Sequence, residues 1–556
     1  MILPQWTKKY NTSQGGRDFL GYMNVGVIML ERLLPGISNI TDRLRYYSFF
    51  SWVLYRFFRT DNPKTPISFK KYLKIKSLAF LYANGLMHKD SSNVGLNGIE
   101  LVRVDLRDNG EREIYQWDEE YVKNYKDNYW VYSQKIKQVG ATADNENYEL
   151  ESLTNEWGKK IAMAYDAAIK NTEYYKKYCD KSDQKIPANV LVEYSRSCNA
   201  VGLDQSPEEQ QLLFDLMFRF DKIATEQKDF SPYYSANPPN IARSRRESML
   251  LILDIIDQVG GSGLGYDDFQ KIILYSKVQN IGYKVTDKLS HCLEYWRIFQ
   301  ARQFLIYAIE SFFTVLTSQI YNRNIEIEVL LKEMKEMTVH GITSFEEKHG
   351  ISFNLDTKIT DMLLLFSKGK TDEEIDHDYN LSSKINEWNL YKTIESELKK
   401  KEYSSCLSGS FMLLVLLYVR FNYYRKNNLP YWDFSYIGGD INLSIDSFFS
   451  KLDDMDYRGL LVEDMIDWII KELVIKQHSR VAIAKLSWYK NNTFHFEYSG
   501  GMIKGLKKAR PNMNAPKFNN VINFIEDLGL AVRQDDKIII TDKGKKTLNE
   551  YTKINN

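Results

Sequence analysis

Apolar positions along this chain recur mainly at the three-to-four-residue spacing of helices, and alternation at period two is confined to short stretches. After a loop holding Gly15-Gly16, the pattern predicts helix through residues 1–60. Pro35-Gly36 marks a turn there, Ser38, Thr41 or Asp42 serves as a cap, and an aromatic-rich helix runs through Ser51–Phe58. Helical periodicity around Phe69–Leu86 gives way to the turn Gly95-Leu-Asn-Gly98, and a helix follows near Tyr121–Val139. From about 185 to 365 the pattern is almost wholly helical. Ser206-Pro-Glu-Glu is a helix start, with a capping serine, proline in the first turn and acids against the positive end of the dipole. Asn237-Pro-Pro-Asn240 breaks the chain before a helix over Ile241–Val259, Gly260–Gly265 reads as a linker, and helices at 287–321 and 324–337 follow. Residues 367–405 are charged and poor in apolar positions. Helices resume at 406–425 and 447–476, on either side of an irregular Trp432–Asp446. Leu486–Tyr498 brings in β character, with Phe494, Phe496 and Tyr498 on one face of a strand.

One pattern occurs twice. The first copy is Ile136-Lys-Gln-Val-Gly140-Ala, then Tyr148-Glu-Leu, then Leu153-Thr-Asn-Glu-Trp-Gly158-Lys-Lys160. The second is Ile525-Glu-Asp-Leu-Gly529-Leu, then Ile538-Ile-Ile540-Thr-Asp-Lys-Gly544-Lys-Lys546. Each reads as a helix closed by glycine, a hairpin, and a helix opened by threonine and Gly-Lys-Lys, which is the back half of a winged-helix unit. The expected fold is therefore mainly α and multidomain, a helical body with two winged-helix-like α+β modules. The expected segments are 1–60, a winged-helix-like 61–175, a helical body 176–400, a second helical segment 401–485, and a C-terminal winged-helix-like 486–556.

Charge changes this picture by its distribution. The chain of 556 residues carries a net +1, but residues 1–60 and 501–556 each carry +5 and the middle −9, so a surface for a polyanion belongs at the ends. In the C-terminal module the expected recognition helix, about Lys517–Leu528, offers Lys517, Asn519, Asn520 and Asn523 to a major groove. The expected wing, Leu530–Ile540, adds Arg533 and Lys537. Lys504, Lys507, Lys508 and Arg510 form a cluster suited to phosphates. Arg43 and Arg45, and Arg243, Arg245 and Arg246, are candidate anion sites. For the first pair, pairing with carboxylates inside the protein is the favoured reading, and for the second group a solvated helix face is the commoner outcome.

No catalytic, cofactor or metal motif emerges. There is no Gly-x4-Gly-Lys-Ser/Thr loop, the seven histidines show no zincin or ribonuclease spacing, and His291-Cys292 point apart on a helix. Asp376, Asp378, Glu397 and Lys399 imitate a nuclease order, but the Glu-x-Lys falls on a predicted helix instead of a strand. Asp433, Asp440 and Asp446 lack the glutamate that would complete a calcium loop. Four dispersed cysteines form no CxxC and fit reduced thiols in the cytoplasm. The first residues do not form a signal peptide, and the apolar runs Phe411–Val419 and Phe304–Ile320 read as buried helices, not membrane spans.

Leu33-Leu-Pro-Gly-Ile-Ser-Asn-Ile-Thr-Asp-Arg-Leu-Arg-Tyr-Tyr-Ser-Phe-Phe-Ser-Trp52 resembles an N-terminal signature of uncharacterised bacterial proteins encoded near restriction and anti-phage genes. The resemblance covers about the first sixty residues. It implies a component of an intracellular defence system and assigns no functional residue. The expectation is a cytoplasmic DNA-binding or DNA-sensing subunit that acts on double-stranded DNA with partner protein subunits, as a homo-oligomer or not, and away from membranes. The alternatives are a metal-dependent nuclease with a diverged site, and a protein-interaction scaffold whose winged helices do not bind DNA.

Overall fold

A computed structural model describes residues 18–40, 42–89, 95–117, 129–180, 185–218, 238–260, 264–427, 429–489, 492–514, 516–535 and 537–552. The Gly15-Gly16 loop, Thr41, the predicted helical residues 121–128 and the centre of the Gly260–Gly265 linker lie outside them. The fold is mainly helical. In chain order the helices are α1 (Met23–Leu33), α2 (Arg45–Phe57), α3 (Pro66–Met87), α4 (Ile99–Asn109), α5 (Tyr129–Gln138), α6 (Gly158–Ile169), α7 (Ala188–Cys198), α8 (Pro207–Met217), α9 (Pro238–Val259) and α10 (Tyr266–Tyr275). They continue as α11 (Ser290–Ile320), α12 (Ile327–His349), α13 (Ile359–Ser367), α14 (Asp372–Asp378), α15 (Glu387–Lys400), α16 (Tyr403–Lys426), α17 (Ile445–Tyr457), α18 (Val462–Trp468), α19 (Gln477–Tyr489), α20 (Phe518–Asp527) and α21 (Asp542–Thr552). The strands are short: β1 (Ile114–Tyr115), β2 (Thr142–Ala143), β3 (Ser152–Leu153), β4 (Ile186–Pro187), β5 (Lys277–Val278), β6 (Ile281–Gly282), β7 (Asn324–Glu326), β8 (Phe496–Ser499), β9 (Met502–Gly505), β10 (Ala531–Gln534) and β11 (Lys537–Ile540). Residues 367–405, left open between loop and exposed helix by their charge, include two helices, α14 and α15.

Two compact units share the chain, and neither is continuous in sequence. Unit 1 takes Met1–Met29, Asp267–Gly282 and Glu294–Asn514, and unit 2 takes Leu30–Tyr266, Tyr283–Leu293 and Ala515–Asn556. The segment 486–556, expected to be one module, is thus divided after Asn514.

Both copies of the repeated pattern lie in unit 2, and both fold as a helix, a two-stranded antiparallel hairpin and a helix. The first joins α5 to α6 through β2 (Thr142–Ala143) and β3 (Ser152–Leu153). The second joins α20 to α21 through β10 (Ala531–Gln534) and β11 (Lys537–Ile540). The joints match bond for bond. Gly140 and Gly529 take positive φ, 87° and 70°, and end the first helix. Thr154 Oγ1 donates to Gly140 O at 2.8 Å and accepts from Gly158 N at 3.0 Å; Thr541 Oγ1 donates to Gly529 O at 2.7 Å and accepts from Gly544 N at 3.1 Å. A Cβ on Gly158 would lie 1.9 Å from Ala141 O, and one on Gly544 2.1 Å from Leu530 O, so only glycine lets the second helix start against the first strand. The first copy simply has one more residue between threonine and glycine.

The N-terminal signature is the centre of this unit. The turn Leu33–Gly36 is buried, and its four successive carbonyls are each met by a side chain. Ser248 Oγ donates to Leu33 O at 2.7 Å, Lys517 Nζ to Leu34 O at 3.3 Å, Arg245 Nη1 to Pro35 O at 3.3 Å and Tyr47 OH to Gly36 O at 2.5 Å. Gly36 N donates to Gln138 Oε1 at 2.9 Å. Buried backbone without secondary structure requires such partners. From α2, Tyr46 stacks on Tyr132 of α5, Trp52 Nε1 donates to Asp166 of α6 at 2.8 Å, and Tyr47 meets Phe524 of α20 edge-on. One aromatic helix therefore packs on both repeats.

In unit 1, α16 is buried from Cys406 to Asn422 and packs against α12, α13, α14, α15 and α17. It is long and apolar enough to cross a membrane, but 89% of its apolar window is buried within the protein, as in a core helix. A three-stranded antiparallel sheet, β7 (Asn324–Glu326), β9 (Met502–Gly505) and β8 (Phe496–Ser499), has β9 at its centre.

Candidate nucleic-acid interface

Beyond β9 the chain of unit 1 continues as an extended strap along α11. Gly505 makes the crossing: a Cβ there would lie 2.2 Å from Ile320 O. Three α11 side chains then accept backbone N–H groups of the strap in reverse order. Ala509 N donates to Thr317 Oγ1 at 3.0 Å, Asn512 N to Glu310 Oε2 at 2.8 Å, and Asn514 N to Gln303 Oε1 at 3.4 Å. Residues 303, 310 and 317 are seven apart and share a helix face. They span about 21 Å of helix at 1.5 Å per residue. The strap from 509 to 514 spans about 17 Å at 3.3 Å per residue, and the reach of Gln and Glu side chains closes the difference. Ala509 and Asn514 point inward and are buried, whereas Lys508, Arg510 and Asn512 are exposed.

The phosphate cluster expected at 504–510 lies on this strap and on β9. Lys504, Lys508 and Arg510 are exposed, and among the described residues no carboxylate lies within ion-pair distance of them. Lys504 stands opposite Glu497 in register, which tempers its charge. Lys508 lies over the Tyr321 ring, 4.8 Å from its centroid. Lys507 is half-buried and reaches Asn492 O. Within this cluster Lys508 and Arg510 are exposed and stand opposite no carboxylate in a strand register.

The expected recognition helix is a correction. α20 is buried on nearly all sides in unit 2, and Lys517, Asn520 and Asn523 turn inward. Lys517 Nζ donates to Glu31 Oε1 at 2.8 Å, Lys135 binds the other oxygen, and burial lowers the Lys517 ammonium to about 8 against the pull of Glu31. Asn520 Nδ2 donates to Asp42 Oδ1 at 2.6 Å. Only Asn519 of the four is exposed. On the hairpin, Arg533 pairs with Glu526 at 3.1 Å and Lys537 is exposed. A helix enclosed in this way cannot enter a groove.

The N-terminal arginines, offered as anion sites, are internal. Arg43 binds Asp527 at 3.0 Å, and burial raises the Asp527 carboxyl to about 6 despite that partner. Arg45 is 1% exposed, pairs with Glu209 at 3.0 Å and donates to Asn199 O and Ser197 O. Arg245 donates to Leu216 O and Met217 O, the free carbonyls at the end of α8, and so caps that helix. Arg246 is also buried, and Arg243 pairs with Glu247 at 2.6 Å. Carboxylates and carbonyls of unit 2 occupy the positions an external anion would need.

The nuclease-like carboxylates are dispersed in unit 1. Asp376 binds Arg420 of α16, Asp378 binds Lys370, and Glu397 and Lys399 lie on helix α15 with partners of their own. Asp446 accepts from Arg425 and Trp432.

No protein-family model, curated protein or solved structure matches this chain.

The acceptor ladder on α11 escaped the sequence reading. Its signal was present: Glu310 and Thr317 interrupt an apolar run, and Gln303 precedes it by the same seven-residue step.

Proposed function

We propose that this protein is a nucleic-acid-associated subunit of a multi-protein bacterial defence assembly in the cytoplasm, and that it meets double-stranded DNA through phosphates on unit 1. The observation that carries this reading is the pair Lys508 and Arg510, exposed and, among the described residues, without a carboxylate at ion-pair distance, on a strap pinned to α11. The defence context rests on the signature Leu33–Trp52 alone. In this reading the helix–hairpin–helix repeats are winged-helix-like modules used for packing. Contact through phosphates carries no base information of its own. The test is binding to labelled duplex across a salt series. Removing a cation that contacts a phosphate lowers the salt slope by about one, so Lys508→Glu with Arg510→Glu should lower it by about two. An unchanged slope defeats the reading.

A second reading, a protein-interaction scaffold that never touches DNA, is favoured by the burial of α20. It predicts no binding of the unchanged protein at low salt.

A further inference from the structure

The cations of the strap are only as well placed as the backbone that carries them. That backbone belongs to no sheet beyond Gly505, and its N–H groups at 509, 512 and 514 are satisfied by side chains of a helix. An extended segment with free amides would sample many conformations and give up that freedom on meeting DNA. We infer that Gln303, Glu310 and Thr317 are positioning residues for the phosphate-facing strap: they fix 509–514 along α11, so that Lys508 and Arg510, on either side of the buried Ala509, face outward. This rests on the reading of unit 1 as the DNA-facing part and names what preorganises it.

Glu310 is the central rung. Its residue is 1% exposed, Oε2 accepts from Asn512 N, and Oε1 has no hydrogen-bond partner among the described residues. The charged groups that act on it are Asp18, from the chain ahead of α1, which raises its carboxyl, and Arg302, about two turns back on α11, which lowers it. Arg302 is engaged with Tyr22 O at 2.9 Å and Asn442 O at 3.2 Å and makes no ion pair with Glu310. Burial dominates, and the carboxyl is raised to about 8. The folded state thus keeps a proton that the unfolded chain loses near 4.5. The stabilisation is complete below that value and is lost as pH rises through about 8. Above it, an ionised carboxylate beneath the strap draws in water and loosens the ladder.

The experiment uses the full chain and measures hydrogen–deuterium exchange over 506–514 together with duplex affinity, at pH 7 and pH 9. Thr317→Val removes one acceptor with little change of shape. Glu310→Ala removes the central one, and Glu310→Gln keeps an acceptor but cannot ionise. The expected result is at least tenfold faster exchange of the strap in Thr317→Val and Glu310→Ala, with weaker duplex binding in both. Glu310→Gln should stay protected and lose the fall in protection between pH 7 and pH 9. Lys508→Glu with Arg510→Glu should weaken binding without altering exchange. Strap exchange unchanged in Thr317→Val and Glu310→Ala overturns the ladder. Faster exchange with unchanged affinity overturns the positioning role. If the unchanged protein shows no salt-dependent binding, the DNA reading falls and the positioning role with it, and the exchange data still report whether the ladder holds the strap.

Discussion

Two stretches proposed to meet DNA, the basic 504–510 and the asparagine-rich 517–523, lie within twenty residues of each other and meet opposite fates. Lys508 and Arg510 stand on an extended strap whose neighbouring residue, Ala509, takes the inward position. Lys517, at the N-cap of α20, and Asn520 and Asn523 within it belong to an amphipathic helix that is buried on its polar side as well as its apolar side. Extended chain alternates its side chains and always leaves one set facing out. A helix enclosed on nearly all sides leaves few, and here Asn519 alone of the four candidate residues is exposed. Similar residue types therefore form a charged surface in unit 1 and an internal polar network in unit 2.

The comparison can be broken most strongly at Lys517. Lys517→Glu places a carboxylate beside Glu31 in a buried site. It should cost about 3–5 kcal/mol, the usual loss when one partner of a buried pair is removed, read as a fall in the denaturant midpoint. If Lys517→Glu is as stable as the parent, the buried network is not as described. Gly544→Ala tests the joint beside it. A methyl 2.1 Å from Leu530 O has no room, and a loss of about 3 kcal/mol or more is expected. Gly501→Ala, where nothing lies within 4 Å but φ is positive, should cost only about 1 kcal/mol. Asn520→Ala leaves Asp42 without its donor and should cost about 1–3 kcal/mol. At the small end, Lys508→Glu with Arg510→Glu should change stability by less than about 0.5 kcal/mol while it lowers duplex binding. Asn519→Ala, exposed on α20, should change neither. A stability loss in the strap variant, or a binding loss in the Asn519 variant, would reverse the assignment of the two stretches.

Much of the fold was legible. The 3.6-residue period announced the helices, and glycine, threonine and the hairpin spacing announced both joints of the repeat, down to the residues that close them. The candidate interface was legible only in part. Lys504, Lys508 and Arg510 were nominated from charge alone and lie exposed, but the same reasoning nominated Lys517 and the buried arginines, because composition does not report which side of an element is covered. Arg45 and Arg245 look like phosphate ligands in one dimension. In three they are consumed by Glu209 and by the carbonyls that end α8.

The sequence by itself determined the local structure: where helices start and stop, which glycines permit a close approach, and that two stretches would fold alike. Those outcomes depend on near neighbours in the chain, and their energies are encoded within a few residues. Only the tertiary structure decided that the C-terminal segment divides after Asn514, that the Leu33–Gly36 turn becomes a hub for side chains drawn from residues 47 to 517, and that the candidate residues of 504–510 are mostly outside while those of 517–523 are mostly inside. Burial is set by partners hundreds of residues away, and a charge in a sequence carries no mark of whether its partner will be solvent or a carboxylate brought from the far end of the chain.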